Sequence, residues 1–101
     1  MQMIEKIAVL GAGRMGKAIA IAFAYAGLNV DLIDAKQRSE AEFEQYQTQI
    51  RADLQQELQL LEKIQFIQAY QQDFILDKIA ILSKQAATGM LPSCALILEA
   101  V

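Results

Sequence analysis

Three glycines fall within six positions, Gly11, Gly13 and Gly16, inside the stretch IAVLGAGRMGKAIAIAFAYAG. The spacing is GxGxxG, and the chemistry it serves is anion binding by bare peptide. The first glycine permits a tight turn, the second lets a diphosphate come close to the backbone, and the third lets a helix sit tight against a strand. Free N–H groups at the start of that helix, aided by its macrodipole, hold negative charge without a cationic side chain. Arg14 and Lys17 stand close by, but first-turn basic residues are ordinarily solvated and oppose the dipole, so neither side chain is assigned to phosphate.

A second chemical group lies 18 positions beyond Gly16, where Asp34 closes an apolar run. A carboxylate there accepts hydrogen bonds from the adenosine ribose hydroxyls of a dinucleotide and favours NAD over NADP, because a 2′-phosphate would meet a negative charge. Lys36 and Arg38 follow closely and soften that preference. The plainer alternative makes Asp34 a surface turn residue.

The motif alone is weak, and its force comes from the elements around it. Residues 4–10 read as a strand, with Ile7, Ala8, Val9 and Leu10 in one unbroken apolar run of the kind covered on both faces. A helix over residues 14–26 places Met15, Ala18, Ile19, Ala22, Phe23 and Ala26 at helical spacing, and Gly27 supplies the left-handed stop. Val30, Leu32 and Ile33 then form a strand ending at Asp34. The result is a right-handed βαβ unit.

Beyond it, residues 39–63 form a long polar helix, opened by a Ser39–Glu42 capping box and striped by Phe43, Tyr46, Ile50, Leu54, Leu58 and Leu61. Ten glutamines between Gln45 and Gln72 read as filling of exposed helix faces, with specific glutamine contacts the lesser alternative. Residues 66–76 read as another helix with Ile67, Tyr70 and Phe74 inward, although no cap or glycine marks its start. Residues 79–82 and 95–100 are strands, separated by a loop that holds Gly89 and Pro92.

Composition narrows the function classes. The chain has 101 residues, one domain at most, and its 54% hydrophobic content excludes wholesale disorder. A net charge of −3 gives no reason to expect a nucleic acid or an anionic membrane as partner. The single cysteine, Cys94, excludes an internal disulfide and reads as a small core residue; the default location is cytoplasmic. Arg14 and Lys17 followed by AIAIAF and the A-x-A of residues 24–26 imitate a secretory signal, but the run is too short to span a bilayer and follows a buried strand. No metal site is expected. The chain stops within or just after a strand, which suggests the amino-terminal part of a longer protein, or a truncation covered by a second copy, and hence a homo-oligomer.

The run IAVLGAGRMGKAIAIAFAYAGLNVDLID resembles the opening of the 3-hydroxyacyl-CoA dehydrogenases, GAGxMGxxIAxxFAxAG followed by a strand ending in Asp. CALILEAV resembles a later strand of that family, which closes on Glu-Ala-Val. The resemblance implies an α/β fold, a Rossmann-type doubly wound parallel sheet of which this is the amino-terminal portion, with a protruding long helical pair at residues 39–76. It implies one partial dinucleotide-binding domain over residues 1–101, made of a βαβ unit at 1–38, the helical extension at 39–76 and two further strands at 77–101, without the carboxyl-terminal substrate domain. By matching position, Gly11, Ala12, Gly13, Arg14, Met15, Gly16 and Asp34 would bind NAD, and Val101 would lie along the cofactor. Met15 would pack beneath it. Glu99 matches the glutamate of Glu-Ala-Val, as a structural or a functional carboxylate.

Family members act on the 3-hydroxyl of an acyl-CoA, in chemistry of the fatty acid oxidation type, through a histidine base oriented by a glutamate. This chain has no histidine. The resemblance therefore implies an NAD-dependent 3-hydroxyacyl-CoA dehydrogenase as parent protein and an inactive isolated chain with no catalytic residue of its own. The alternative is a non-catalytic nucleotide-binding or interaction module on the same fold.

Overall fold

The run of Ile7, Ala8 and Val9 leaves no polar side for water, and all three are buried. They lie in β1 (Lys6–Leu10) of a computed structural model that describes residues 6–88 and 96–99. The other elements are α1 (Arg14–Tyr25), β2 (Asn29–Ile33), α2 (Glu40–Lys63), α3 (Ala69–Lys78), β3 (Ile79–Leu82), α4 (Lys84–Thr88) and β4 (Leu96–Glu99). The strands form one sheet in the order β3-β2-β1-β4, every pairing parallel. Register is set by Leu10 opposite Ile33 and Glu99, and by Ile33 opposite Leu82, so the carboxyl ends of all four strands share one edge.

Strand alternation divides the core in two. Ile7, Val9, Val30, Leu32, Ile79 and Ile81 face a cluster completed by Ala20, Ile21, Ala24, Ile50, Leu54, Leu58, Ile67 and Ile75 from the helical side. Ala8 and Ile33 face the other way and meet Ala87 of α4. Helices α2 and α3 contribute Ile50, Leu54, Leu58 and Ile75 to the first cluster alongside the strands.

Helix α1 buries a face that only partly coincides with the expected one. Gly16, Ala20, Ile21 and Ala24 are inside and the expected Ile19 and Phe23 pack half-buried against the core, whereas Met15, Ala18, Ala22 and Ala26 are exposed. The helix is apolar nearly all round and carries alanines on both its buried and its exposed face, so neither periodicity nor residue size chooses the side. Its end follows expectation. Gly27 has φ +95°, and the N–H groups of Gly27 and Leu28 reach the carbonyls of Ala24 and Phe23 at 3.0 and 3.1 Å, a Schellman closure.

Helix α2 carries the expected capping box. The Glu42 N–H donates to Ser39 Oγ and the Ser39 N–H to Glu42 Oε1, at 3.2 and 3.1 Å. Ile50, Leu54 and Leu58 are buried, with Phe43, Tyr46 and Leu61 packed beside them. Its end is another Schellman closure, with Gln65 at φ +65° and the Gln65 and Phe66 N–H groups on the Glu62 and Leu61 carbonyls, each at 2.9 Å. At the start of α3 the Gln68 N–H donates to Gln71 Oε1 at 2.7 Å and the Gln71 N–H to the Gln68 carbonyl at 3.0 Å.

The expected helix over 66–76 therefore shifts to 69–78, and its inward set changes. Ile67 is buried, but ahead of the helix; Ile75 is the buried residue within it, while Tyr70 and Phe74 are 74% and 47% exposed. Several glutamines make specific contacts after all: Gln49 donates to Asp53, Gln72 to Glu62, and Gln71 accepts the Gln68 N–H. Helix α4 falls where a loop was expected, started by Ser83, whose Oγ accepts the Ala86 N–H at 3.1 Å. The strand expected over 95–100 is β4 at 96–99. Gly89, Pro92, Cys94 and Val101 lie outside the described residues.

Candidate functional site

The strand order reverses at β1, since β2 and β3 extend to one side of it and β4 pairs on the other. In an open parallel sheet the crevice outside the strand ends at such a reversal is where ligands bind. The glycine turn sits there.

Gly11 leaves β1 with φ +103°, a conformation L side chains adopt at a cost, and its N–H donates to the Ile33 carbonyl at 2.8 Å. That bond ties the turn to the end of β2, and the next residue, Asp34, is tied through its own N–H to the Leu82 carbonyl of β3 at 2.9 Å. Gly13 is the N-cap of α1, with φ −75° and ψ −167°, and no side chain caps this end. A Cβ added at Gly13 would meet nothing within 4 Å. The first N–H groups of a helix lack intrahelical partners, so the space in front of Gly13 is a cradle of peptide donors that a side chain would fill. Ala12 and Gly16 are buried beneath it; Arg14 and Met15 are exposed, Met15 by 65%.

Lys17 is turned away toward α2, where its Nζ donates to Asp53 Oδ2 at 2.8 Å. That bond, followed by one from Gln49 Nε2, holds the Asp53 carboxyl below its ordinary value.

Asp34 is not a surface turn residue. It is 2% exposed, and both oxygens have partners: Oδ1 accepts the Lys36 N–H at 3.0 Å in an Asx turn, and Oδ2 accepts Arg38 Nε–H at 2.6 Å. The Arg38 guanidinium lies 3.9 Å over the Tyr46 ring. Hydrogen bonding to Asp34 raises the Arg38 pKa above its ordinary value. Arg38 also lines a cavity of about 220 Å³ with Ser39, Glu40, Phe43, Ser83 and Gln85, at the mouths of β2 and β3. Sequence reasoning had placed Arg38 near the carboxylate without foreseeing the ion pair or its Tyr46 support. The one available signal was a cation four positions after Asp34.

Two further residues, Glu99 and Val101, belong to the expected set. Glu99 pairs with Leu10 in the backbone ladder, so it stands at the same sheet edge; its side chain and all of Val101 lie outside the described residues. Among the described residues no cluster of acidic, cysteine or histidine side chains could hold a metal ion, and no helix is long and apolar enough to cross a membrane. An apolar hollow between Ala18, Ile21, Tyr25, Leu61, Phe66 and Ile75 adjoins the far end of α1 and carries no comparable chemistry.

A parallel sheet reversing at β1, a glycine turn there, an open helix mouth and a buried carboxylate at the end of β2 define a dinucleotide-binding α/β domain of the Rossmann type. The NAD-binding domain model of 3-hydroxyacyl-CoA dehydrogenase matches residues 6–101, and the chain belongs to that family, whose cofactor is NAD. In structure it is similar to (S)-3-hydroxybutyryl-CoA dehydrogenase from Ralstonia eutropha, with a TM-score of 0.77 and 26% identity, covering 98% of this chain and 31% of that one. It shares its fold with 3-hydroxybutyryl-CoA dehydrogenase from Escherichia coli, with a TM-score of 0.74 and 23% identity, over 97% of this chain and 19% of that one. The chain thus spans under a third of the length of these solved relatives. Comparison with curated proteins gives no match.

Proposed function

We propose that this chain is the cofactor-holding part of an enzyme that oxidises the 3-hydroxyl of a 3-hydroxyacyl-CoA. The observation that carries the proposal is the uncapped, unobstructed helix mouth at Gly13, tied through Gly11 to the strand whose end presents Asp34. Peptide N–H groups from Gly13 to Gly16 would receive the diphosphate, with Ala12, Arg14 and Met15 contributing backbone, and Asp34 would accept the adenosine ribose hydroxyls. Val101 would lie along the cofactor, as the family resemblance implies. Bound NAD supplies the hydride acceptor.

An acyl-CoA substrate is supported by what the solved relatives are called, and a cytoplasmic location and a role in fatty acid metabolism follow from the same reading. The 101 residues contain no histidine, so this chain by itself binds nucleotide without turning over. Self-association through the sheet or the long helices belongs to the same proposal, and sedimentation at high concentration tests it; a clean monomer would contradict it.

The central experiment is titration of the 101-residue chain with NADH followed by fluorescence. Saturable binding is expected, weak because the chain spans under a third of the length of its solved relatives and supplies the adenosine half of the site rather than the nicotinamide half. No saturable change at millimolar NADH overturns the proposal.

A further inference from the structure

A bare carboxylate at the end of β2 would repel a 2′-phosphate, but Asp34 is not bare. Its side chain is 3% exposed, and Oδ2 is locked 2.6 Å from Arg38 Nε. The two charges cancel at the point where a 2′-phosphate would arrive. A carboxylate offers about four lone-pair sites, so after Arg38 and the Lys36 N–H two remain for ribose hydroxyls.

The guanidinium keeps capacity too. Of its five N–H groups the one on Nε serves Asp34 and the guanidinium also hydrogen-bonds the Tyr46 side chain, which leaves Nη donors to grip a planar or tetrahedral oxyanion. Among the described residues Asp34 is the only carboxylate ion-paired with Arg38. The side chain is 24% exposed, yet Tyr46 supports its flat face at 3.9 Å, so it is held in place rather than swinging in solvent. Around it the cavity wall adds the neutral polar side chains of Ser39, Ser83 and Gln85, with Glu40 as its only acid. Exposed Lys36 adds a second positive charge two residues away.

We infer that Arg38, paired to Asp34 and braced on Tyr46, is a cofactor-specificity residue that lets this site accept a 2′-phosphorylated dinucleotide, so that NADP(H) binds alongside NAD(H). This rests on the reading of Asp34 as the ribose-binding carboxylate. Arg38 acts directly on the 2′-phosphate and indirectly by neutralising the charge that would exclude it.

The test is parallel titration of the 101-residue chain with NADH and NADPH, in wild type, R38Q and R38K. In wild type the NADPH dissociation constant should fall within about tenfold of that for NADH, and added salt should weaken NADPH more, since its extra phosphate carries about −1.5 to −2 charge. R38Q should move the ratio of the two constants by about tenfold or more toward NADH, and R38K by less, because an ammonium keeps the charge without the fork.

If NADH binds and NADPH does not, or if R38Q leaves the ratio unchanged, the inference is overturned while the site reading stands. If neither nucleotide binds wild type, the site reading itself falls. Should R38Q fail to melt cooperatively, the wild-type salt series decides, and equal salt dependence for both nucleotides counts against Arg38.

Discussion

Gly13 separates binding from folding more cleanly than any other residue of the site. Its φ and ψ of −75° and −167° are open to any L residue, and an added Cβ would meet nothing within 4 Å. Serine at an N-cap satisfies one of the helix's orphan N–H groups and is slightly better there than glycine. G13S should therefore hold or raise stability, by a few tenths of a kcal/mol, while filling the space meant for a diphosphate and occupying one of its donors. We expect NADH affinity to fall by about tenfold or more, the worth of a charge-assisted hydrogen bond. Thermal melts and NADH titration of the same preparation check both halves; unchanged NADH binding in a stable G13S protein would remove Gly13 from the site. The glycine spacing and Asp34 were legible in the sequence because each has a fixed position relative to strand ends. The Asp34–Arg38 lock was not, because residue 38 lies in the turn ahead of α2, where no periodicity fixes which way a side chain points.

Helix α2 shows what local chemistry makes readable and what it conceals. Its start was legible because Ser39 and Glu42 form a reciprocal box whose spacing is diagnostic. Its stripe was legible because 24 residues give periodicity room to show. Its end at Lys63 was legible too, but its closure was not, because Gln65 takes the left-handed position ordinarily left to glycine or asparagine. The two ends therefore predict mutations of opposite sign. S39A removes a cap and should cost about 1 kcal/mol, or about 4–8 °C in Tm for a domain of this size. Q65G relieves a strained φ and should stabilise by about 0.5–1 kcal/mol. Denaturant melts of the two variants against wild type provide the measurement, and loss of stability in Q65G would mean that the Gln65 side chain contributes more than its backbone costs. In α3 the error was one of register. Ten residues give a weak stripe, and choosing the aromatics Tyr70 and Phe74 drew the inward face one position away from Ile75.

At the scale of the molecule, the parallel sheet followed from apolar runs joined by helical crossovers, but the layer around it did not. The face buried by α1 is decided by where α2 and α3 lie, a long-range fact that an alanine-rich helix does not record. One bond fixes part of that arrangement at the glycine turn, because Lys17 closes the first turn of α1 onto Gly13 through its N–H and reaches Asp53 of α2 through its side chain. Asp53 titrates below its ordinary value of 3.8, chiefly through that Lys17 bond. A carboxyl whose pKa is depressed by folding contributes its stability in full above the ordinary value and loses it as pH falls through the folded one. The side chains are 19% and 29% exposed, so the contribution is screened and stays at or below about 1 kcal/mol. D53N should thus be less stable than wild type near neutral pH, with the gap closing below about pH 4 as the wild-type carboxyl takes up its proton. Melts across that range test the coupling between the helix that presents the site and the helix that braces it; a gap that stayed constant into acid would show that Asp53 acts by shape rather than by charge.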